Sequence, residues 1–347
     1  MKPPSNRTHL FFRTLLVVCC LALPLFADSI AAPGRVQQTP AVTGAQANSQ
    51  SRDTSSSGAL KFPVTVTGAR GGFIIGLTKE NFSVWEGKTQ REINYFSSAE
   101  LPASVGVLID VSGSVKPQTL EAAKYAAERF IRQGYEKNEY LVGEFSHSWR
   151  SWSGWRQDVP SAIEALNSNG AADADKSQQS KQKPRGQTAL YDACVIALDE
   201  VGKRPNPRRV LLLITDGQDN SSRLTLDQLR KKIRASDVQI YAVGIAEPYE
   251  SNVANIVGQM ILDELTTASG GRAYFPQNKK DRKELNEVID RIVIELAHQY
   301  VVGFTPANAA PAGKWNKVKI KLTSPDESTK SLLPRTREGY FSPTTTP

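Results

Sequence analysis

Residues 105–110 (VGVLID) constrain this chain more than any other stretch. An unbroken apolar run cannot sit on a sheet with one face in water, because such a strand needs a polar residue at every second position. It belongs to a strand covered on both faces, the kind found in parallel sheets. Asp110 closes the run, and Ser112 and Ser114 follow at alternate positions. A carboxylate and two hydroxyls in one short loop are hard oxygen donors of the type Mg²⁺ prefers. The same residues also make an ordinary Asx/Ser turn leaving a strand. From this segment alone both readings stand.

The sequence around the run supplies the helices that a parallel sheet needs. Leu120, Ala123, Ala127, Phe130 and Ile131 recur at helical spacing and are closed by Gly134. Strands are predicted over 140–146, 209–215, 238–245 and 272–275, and an antiparallel edge strand over 149–156. Helices are predicted over 162–166, 188–201, 224–235, about 253–268 and 283–298. Alternation of this kind predicts an α/β fold, a doubly wound and mostly parallel sheet with helices on both faces. Outside it the elements are strands. Residues 62–67, which alternate apolar and polar, 82–86 and 93–96 precede the α/β region, and the apolar 300–304, the strictly alternating 317–322 and a last strand at 335–341 follow it. These flanks are expected to meet as a small β-sheet beside the core. The predicted organisation is an N-terminal β flank over 60–100, an α/β domain over 101–299 and a C-terminal β flank over 300–342. A polar, low-complexity insertion occupies 170–186.

The first residues read as a targeting segment. Lys2, Arg7 and Arg13 form a basic start, 15–26 is a short apolar core broken by Pro24, and Ser29-Ile30-Ala31 fits a cleavage site. A signal peptide over 1–31 and a disordered linker over 32–59 are therefore expected. The implied location is across the cytoplasmic membrane, in the periplasm, on the cell surface or outside the cell, with no membrane span after cleavage. Cys194 is then the only cysteine left. It lies in the apolar helical run ALYDACVIAL, which predicts a buried inert thiol rather than a nucleophile. The net charge of +8 comes from scattered lysines and arginines without an aromatic-basic module, so no nucleic-acid partner is expected.

In a doubly wound sheet, ligands bind beyond the carboxyl ends of the strands, where strand order reverses. Two buried runs end in aspartate there: LID at Asp110 and LIT-D at Asp216. Thr188, after Gly186-Gln187, opens a helix at what would be the same edge. DVSGS, the threonine of TALYDA and LLLITDG, in this order, resemble the von Willebrand factor type A domain over about 104–298. That resemblance implies a metal-ion-dependent adhesion site. Positions matching Ser112 and Ser114 bind the metal directly, Thr188 does so in the ligand-engaged state, and Asp110 and Asp216 act often through water. The flanks FPVTVT, GLTKENFSVWEGK, QYVVGFTP and PRTREGYF resemble a bacterial exported family described as "VWFA-related", frequent in acidobacteria, over about 60–342. Gly186-Gln187 stands where that family typically has two glycines.

What the resemblance implies is a Mg²⁺ site, with Mn²⁺ or Ca²⁺ as possible substitutes. Its open coordination position takes an Asp or Glu carboxylate of a protein ligand. The alternative is an architectural subunit of a cell-envelope assembly whose metal site fixes a subunit contact. No catalytic residues are expected. A hydrolase built on Ser112 or Ser114 with His147 is a residual reading, since no GxSxG, HExxH or CxxC motif is present. Asp219 and Asn220 either extend the polar face around the metal or cap their loop, and Asp192 is a candidate for ordering the helix start after Thr188. Trp149, Trp152 and Trp155 are expected to pack in a hairpin, with an aromatic strip for glycan as the weaker reading.

Overall fold

A computed structural model describes residues 59–113, 115–168, 187–245, 253–277, 282–306, 311, 313–322 and 332–342, without the side chains at 150–153. The expected signal peptide, nearly all of the linker, the insertion, Ser114 and the Trp152 side chain lie outside the described residues. In chain order the elements begin with β1 (Leu60–Thr67), β2 (Phe82–Glu86), β3 (Thr89–Arg91) and β4 (Tyr95–Ser97). The α/β region follows with β5 (Ala103–Asp110), α1 (Pro117–Gln133), β6 (Glu139–Phe145), β7 (Trp149–Arg156) and α2 (Val159–Asn167). It continues through α3 (Leu190–Gly202), β8 (Arg208–Thr215), α4 (Leu226–Ala235), β9 (Gln239–Gly244), α5 (Val253–Ser269), β10 (Arg272–Tyr274) and α6 (Arg282–Ala297). The chain closes with β11 (Tyr300–Phe304), β12 (Trp315–Leu322), β13 (Leu333–Arg335) and β14 (Gly339–Phe341).

The central sheet has the order β10-β9-β8-β5-β6-β7, and only β7 is antiparallel. The chain starts in the middle at β5, winds outward through β6 and β7, then returns to β8 on the other side. Strand order therefore reverses between β5 and β8, which makes their carboxyl ends the topological switch point. The apolar runs are buried on both faces. Val105, Val107 and Ile109 of β5, with Val210, Leu212 and Ile214 of β8, pack on α1, α2 and α6. Leu108, Leu211 and Leu213 pack on α3, α4 and α5. Local signals set the helix starts: Asp158 accepts from the Ser161 N–H (2.8 Å) before α2, and Thr225 forms a capping box with Gln228 before α4. Cys194 is fully buried in the second of these layers, and burial pushes its thiol pKa up, as an inert thiol requires. Trp149 and Trp155 pack on the same layer, so these two rings belong to the hairpin. Six residues apart, the two share a face by strand alternation, and Gly154 at φ 65° with the register shift opposite Leu141 and Gly143 marks a bulge that leaves this unchanged.

The flanks build more than one small sheet. Two four-stranded sheets, β13-β1-β11-β4 and β14-β12-β2-β3, enclose a core of Phe62, Val64, Phe82, Val84, Tyr300, Val302, Phe304, Val318, Ile320 and Tyr340. Residues 335–341, read as a single strand, are two. β13 pairs with β1 and β14 with β12, and the chain crosses between the sheets at 336–338. Arg337 makes the crossing. Its buried guanidinium donates to the Ser236 carbonyl (3.1 Å) and the Lys61 carbonyl (3.3 Å) and lies 4.4 Å from the Phe62 ring centroid. Burial lowers its pKa to about 10.

A second joint ties the sandwich to the α/β region. Glu295 of α6 is 1 % exposed, and its Oε1 accepts from Thr65 of β1 (3.0 Å), Tyr241 of β9 (2.6 Å) and the Arg335 guanidinium of β13. Gln299 donates to both Thr65 and Tyr241, and Arg335 donates to the Gly270 carbonyl at 2.7 Å. Among the described residues no helix is long and apolar enough to cross a membrane.

Candidate metal centre

The register of β5 on β8 sets Ile109 beside Ile214, so Asp110 and Thr215 end neighbouring strands at the switch point. Asp110 is fully buried. Its Oδ2 accepts from the Thr215 hydroxyl (2.8 Å), and its Oδ1 accepts from the Ser112 N–H (2.9 Å). The second contact is an Asx turn, the ordinary way for a chain to leave a strand. Ser112 is 3 % exposed, and its hydroxyl contacts the Asp110 carboxylate as well. The Val111 N–H donates to the Phe145 carbonyl, which continues the sheet bonding one residue past β5.

Asp216 follows β8 directly and is 7 % exposed. Its Oδ1 accepts from the Gln218 N–H at 2.9 Å, and the Gly217 N–H reaches the Thr215 hydroxyl at 3.1 Å. This loop is pressed onto α5. Gly217 has φ +81°, and a Cβ placed on it would lie 2.4 Å from the Gly258 carbonyl oxygen. A Cβ on Gly258 would lie 2.4 Å from the Asp216 carbonyl oxygen. Gln218 also donates to Asn255 of α5 at 3.1 Å.

Thr188, expected to open a helix, lies two residues before α3 and is 1 % exposed. Its backbone is occupied elsewhere. The N–H donates to Asn220 Oδ1 (2.8 Å), and its carbonyl accepts from the N–H groups of Asn220 (3.0 Å) and Ser221 (3.1 Å). The next residue, Ala189, donates to the Ser146 carbonyl at the end of β6. Asp192 and Asp219 complete the cross-link between the Thr188 and Asp216 loops. Asp192 accepts from the N–H groups of Arg223 (3.1 Å) and Leu224 (3.0 Å), and Asp219 accepts from that of Tyr191 (3.1 Å) and from the Ser222 hydroxyl. Asp192, Asp219 and Asn220 therefore order the loops. Thr215, Ser222, Asn255 and Gly258 also position these loops and escaped the sequence reading. The one available signal was a glycine, Gly258, inside an apolar helical run.

Burial is the largest effect on Asp110 and raises its pKa to about 6. The Asp216 charge adds to the rise, and hydrogen bonds from Ser112 and Thr215 oppose it. A group with a raised folded-state pKa contributes stability that is fully present below the unfolded value, about 4, and is lost as pH rises through about 6. In chelator, the stability of the native protein relative to Asp110→Asn is thus expected to fall by about 3 kcal/mol between pH 4 and pH 7. Urea melts of the two proteins at matched pH check this, and parallel pH profiles would contradict it.

The donor set fits a small dication. Two buried carboxylates that repel one another, with the Ser112 and Thr215 hydroxyls on Asp110, are all hard oxygen donors. Among the described residues no group of three or more His, Cys, Asp or Glu is arranged to hold a metal. A cation here would therefore rest on hydroxyls and water rather than on a carboxylate cage. His147 does not supply a base to Ser112; its Nδ1 contacts the Ser146 hydroxyl at 3.2 Å, and its side chain is exposed.

A family model for the von Willebrand factor type A domain matches residues 104–291, more than half of the chain. The chain belongs to that family. Type A domains mediate protein–protein interactions. The chain is 25 % identical over 198 residues to the inter-alpha-trypsin inhibitor heavy chain H2 of Sus scrofa, a match that covers 51 % of this chain and 20 % of that protein. The chain thus spans about a fifth of the length of the curated relative it matches. Among solved structures it is similar to a von Willebrand factor type A protein from Catenulispora acidiphila. That similarity has 14 % identity and a TM-score of 0.44 and covers 84 % of this chain and 76 % of the other. It is also similar to an aerotolerance-related membrane protein from Bacteroides fragilis, with 18 % identity, a TM-score of 0.42, and coverage of 56 % and 98 %.

Proposed function

We propose that this protein is an exported, metal-ion-dependent binding module that captures an acidic residue of a protein partner. The observation that carries the proposal is the meeting of two buried carboxylates, Asp110 and Asp216, at the strand ends flanking the switch point, with hydroxyl oxygens beside them. Ser112, Ser114 and Thr188 would hold a Mg²⁺ ion through their hydroxyls, and Asp110 and Asp216 through water. When bound, the ion supplies a concentrated positive charge that attracts a carboxylate. The chain's own work is positional. Thr215 fixes the Asp110 carboxylate, Asn220 fixes the Thr188 backbone, and the contact of Gly217 with Gly258 fixes the turn that carries Asp216. The basic start and short apolar core of residues 1–31 support export, and the flank motifs support placement in the exported "VWFA-related" group.

The test is capture from a cell-envelope extract on immobilised protein, with Mg²⁺ or with chelator. Proteins retained in Mg²⁺ are expected to be released by chelator and absent from a Ser112→Ala column. The same set on every column would contradict the proposal.

A further inference from the structure

The outer face of the sheet β14-β12-β2-β3 is built unlike an ordinary solvated surface. Along β12 the residues alternate strictly. Val318 and Ile320 are buried in the sandwich core, and Lys317, Lys319 and Lys321 are exposed on the other side. Their paired cross-strand neighbours are uncharged: Gly339 faces Lys317, Trp85 faces Lys319 and Ser83 faces Lys321. Among the described residues none of the three lysines has a carboxylate partner. Residues two apart on a strand are separated by about 7 Å, which is inside the screening length at physiological salt. The row is thus a line of mutually repelling charges on a rigid support.

Indoles flank the row. The Lys321 ammonium lies 4.5 Å from the Trp85 ring centroid. Trp315, two residues before Lys317, lies across Gly339. A Cβ there would come within 2.7 Å of the indole, so glycine is what lets the ring rest on the sheet. Phe341 closes that end, edge-on at 5.0 Å. The two indoles are about 13 Å apart along the strand direction. That is too far for neighbouring bases of a single strand to stack on both. Both are half-buried and lie back on the sheet, so neither is poised to enter a bilayer. A flat strip of ammonium groups at regular spacing, one of them set by an indole, matches a chain of sugar rings bearing acid groups.

We propose that this face binds an acidic polysaccharide laid along β12, with its acid groups on Lys317, Lys319 and Lys321, the last held in place by the Trp85 ring. The site is remote in sequence from the metal loops and needs no cation, so it stands or falls separately from the function proposed above. The test measures binding of the full chain to alginate at low salt, with dextran, phosphatidylglycerol vesicles and oligo-dT as comparison probes. Alginate is expected to bind, dextran to bind not at all, and chelator to change nothing. A Lys317→Ser/Lys319→Ser/Lys321→Ser variant is expected to lose at least roughly tenfold in affinity. Trp85→Ala is expected to lose roughly tenfold as well. A charge-matched control, Lys203→Ser/Lys231→Ser/Lys232→Ser, should stay within about twofold of the native protein. The lysines are exposed, so the triple variant is expected to keep the native melting temperature. No alginate binding, equal losses in triple variant and control, or tighter binding of the vesicles or oligo-dT would each overturn the proposal.

Discussion

Replacing Arg335 with Met is expected to lower the stability of the folded chain by about 3–5 kcal/mol, because it strands a buried carboxylate. Glu295 is 1 % exposed, and the three donors to its Oε1 come from β1, β9 and β13. Thr65 and Tyr241 remain after the substitution, but neither carries charge. Taking both charges away is a different experiment. A Glu295→Met/Arg335→Met chain should recover most of the loss, since apolar pairs of similar volume replace buried ion pairs at little cost. Guanidinium melts of the two single variants and the double variant measure the coupling. If Arg335→Met costs under about 1 kcal/mol, the ion pair is not part of the joint between sandwich and sheet.

Adding one methyl group at Gly258 is expected to disturb the Asp216 loop from behind. The new Cβ would sit 2.4 Å from the Asp216 carbonyl oxygen and 3.2 Å from the Gly217 carbonyl carbon. Both are backbone atoms, which cannot rotate away as a side chain would, so either α5 or the loop must shift. Overpacking of this kind costs about 1–3 kcal/mol, whereas glycine to alanine in an open helix position gains stability. The sign alone is therefore diagnostic. Gly258→Ala should lower the melting temperature and weaken Mg²⁺ binding roughly tenfold, a loss of about 1.4 kcal/mol. A more stable protein with unchanged Mg²⁺ binding would show that the loop does not depend on this contact.

Much of this architecture was legible because the strands that matter have no polar face. The runs ending at Asp110 and at Asp216 could only be interior strands, and interior parallel strands bring their ends to one edge. The helical face of Ala123, Ala127, Phe130 and Ile131 was equally plain, and all four are buried against that sheet. What the sequence pattern could not show was a change of partner within one extended stretch. Residues 335–341 read as one strand while the chain leaves one sheet for the other, and nothing local marks Arg337, at the crossing, as buried. Thr188 looked like the first residue of a helix because its neighbours are helical. Its backbone instead bonds to Asn220 and Ser221, more than thirty positions away. Thr215 read only as the last strand residue, since its contact with Asp110 depends on which strands are neighbours.

The central claim is that the edge shared by β5 and β8 holds a dication. Calorimetric titration of Mg²⁺ into the chelator-treated protein and into Asp110→Ala tests it most directly, with thermal melts on the same samples. One equivalent of Mg²⁺ is expected to bind the native protein and to raise its melting temperature, by about 2.7 kcal/mol of stabilisation at a hundredfold excess over the dissociation constant. Asp110→Ala is expected to show neither heat nor stabilisation. If Mg²⁺ stabilises both proteins equally, or binds neither, the metal is not held at these strand ends.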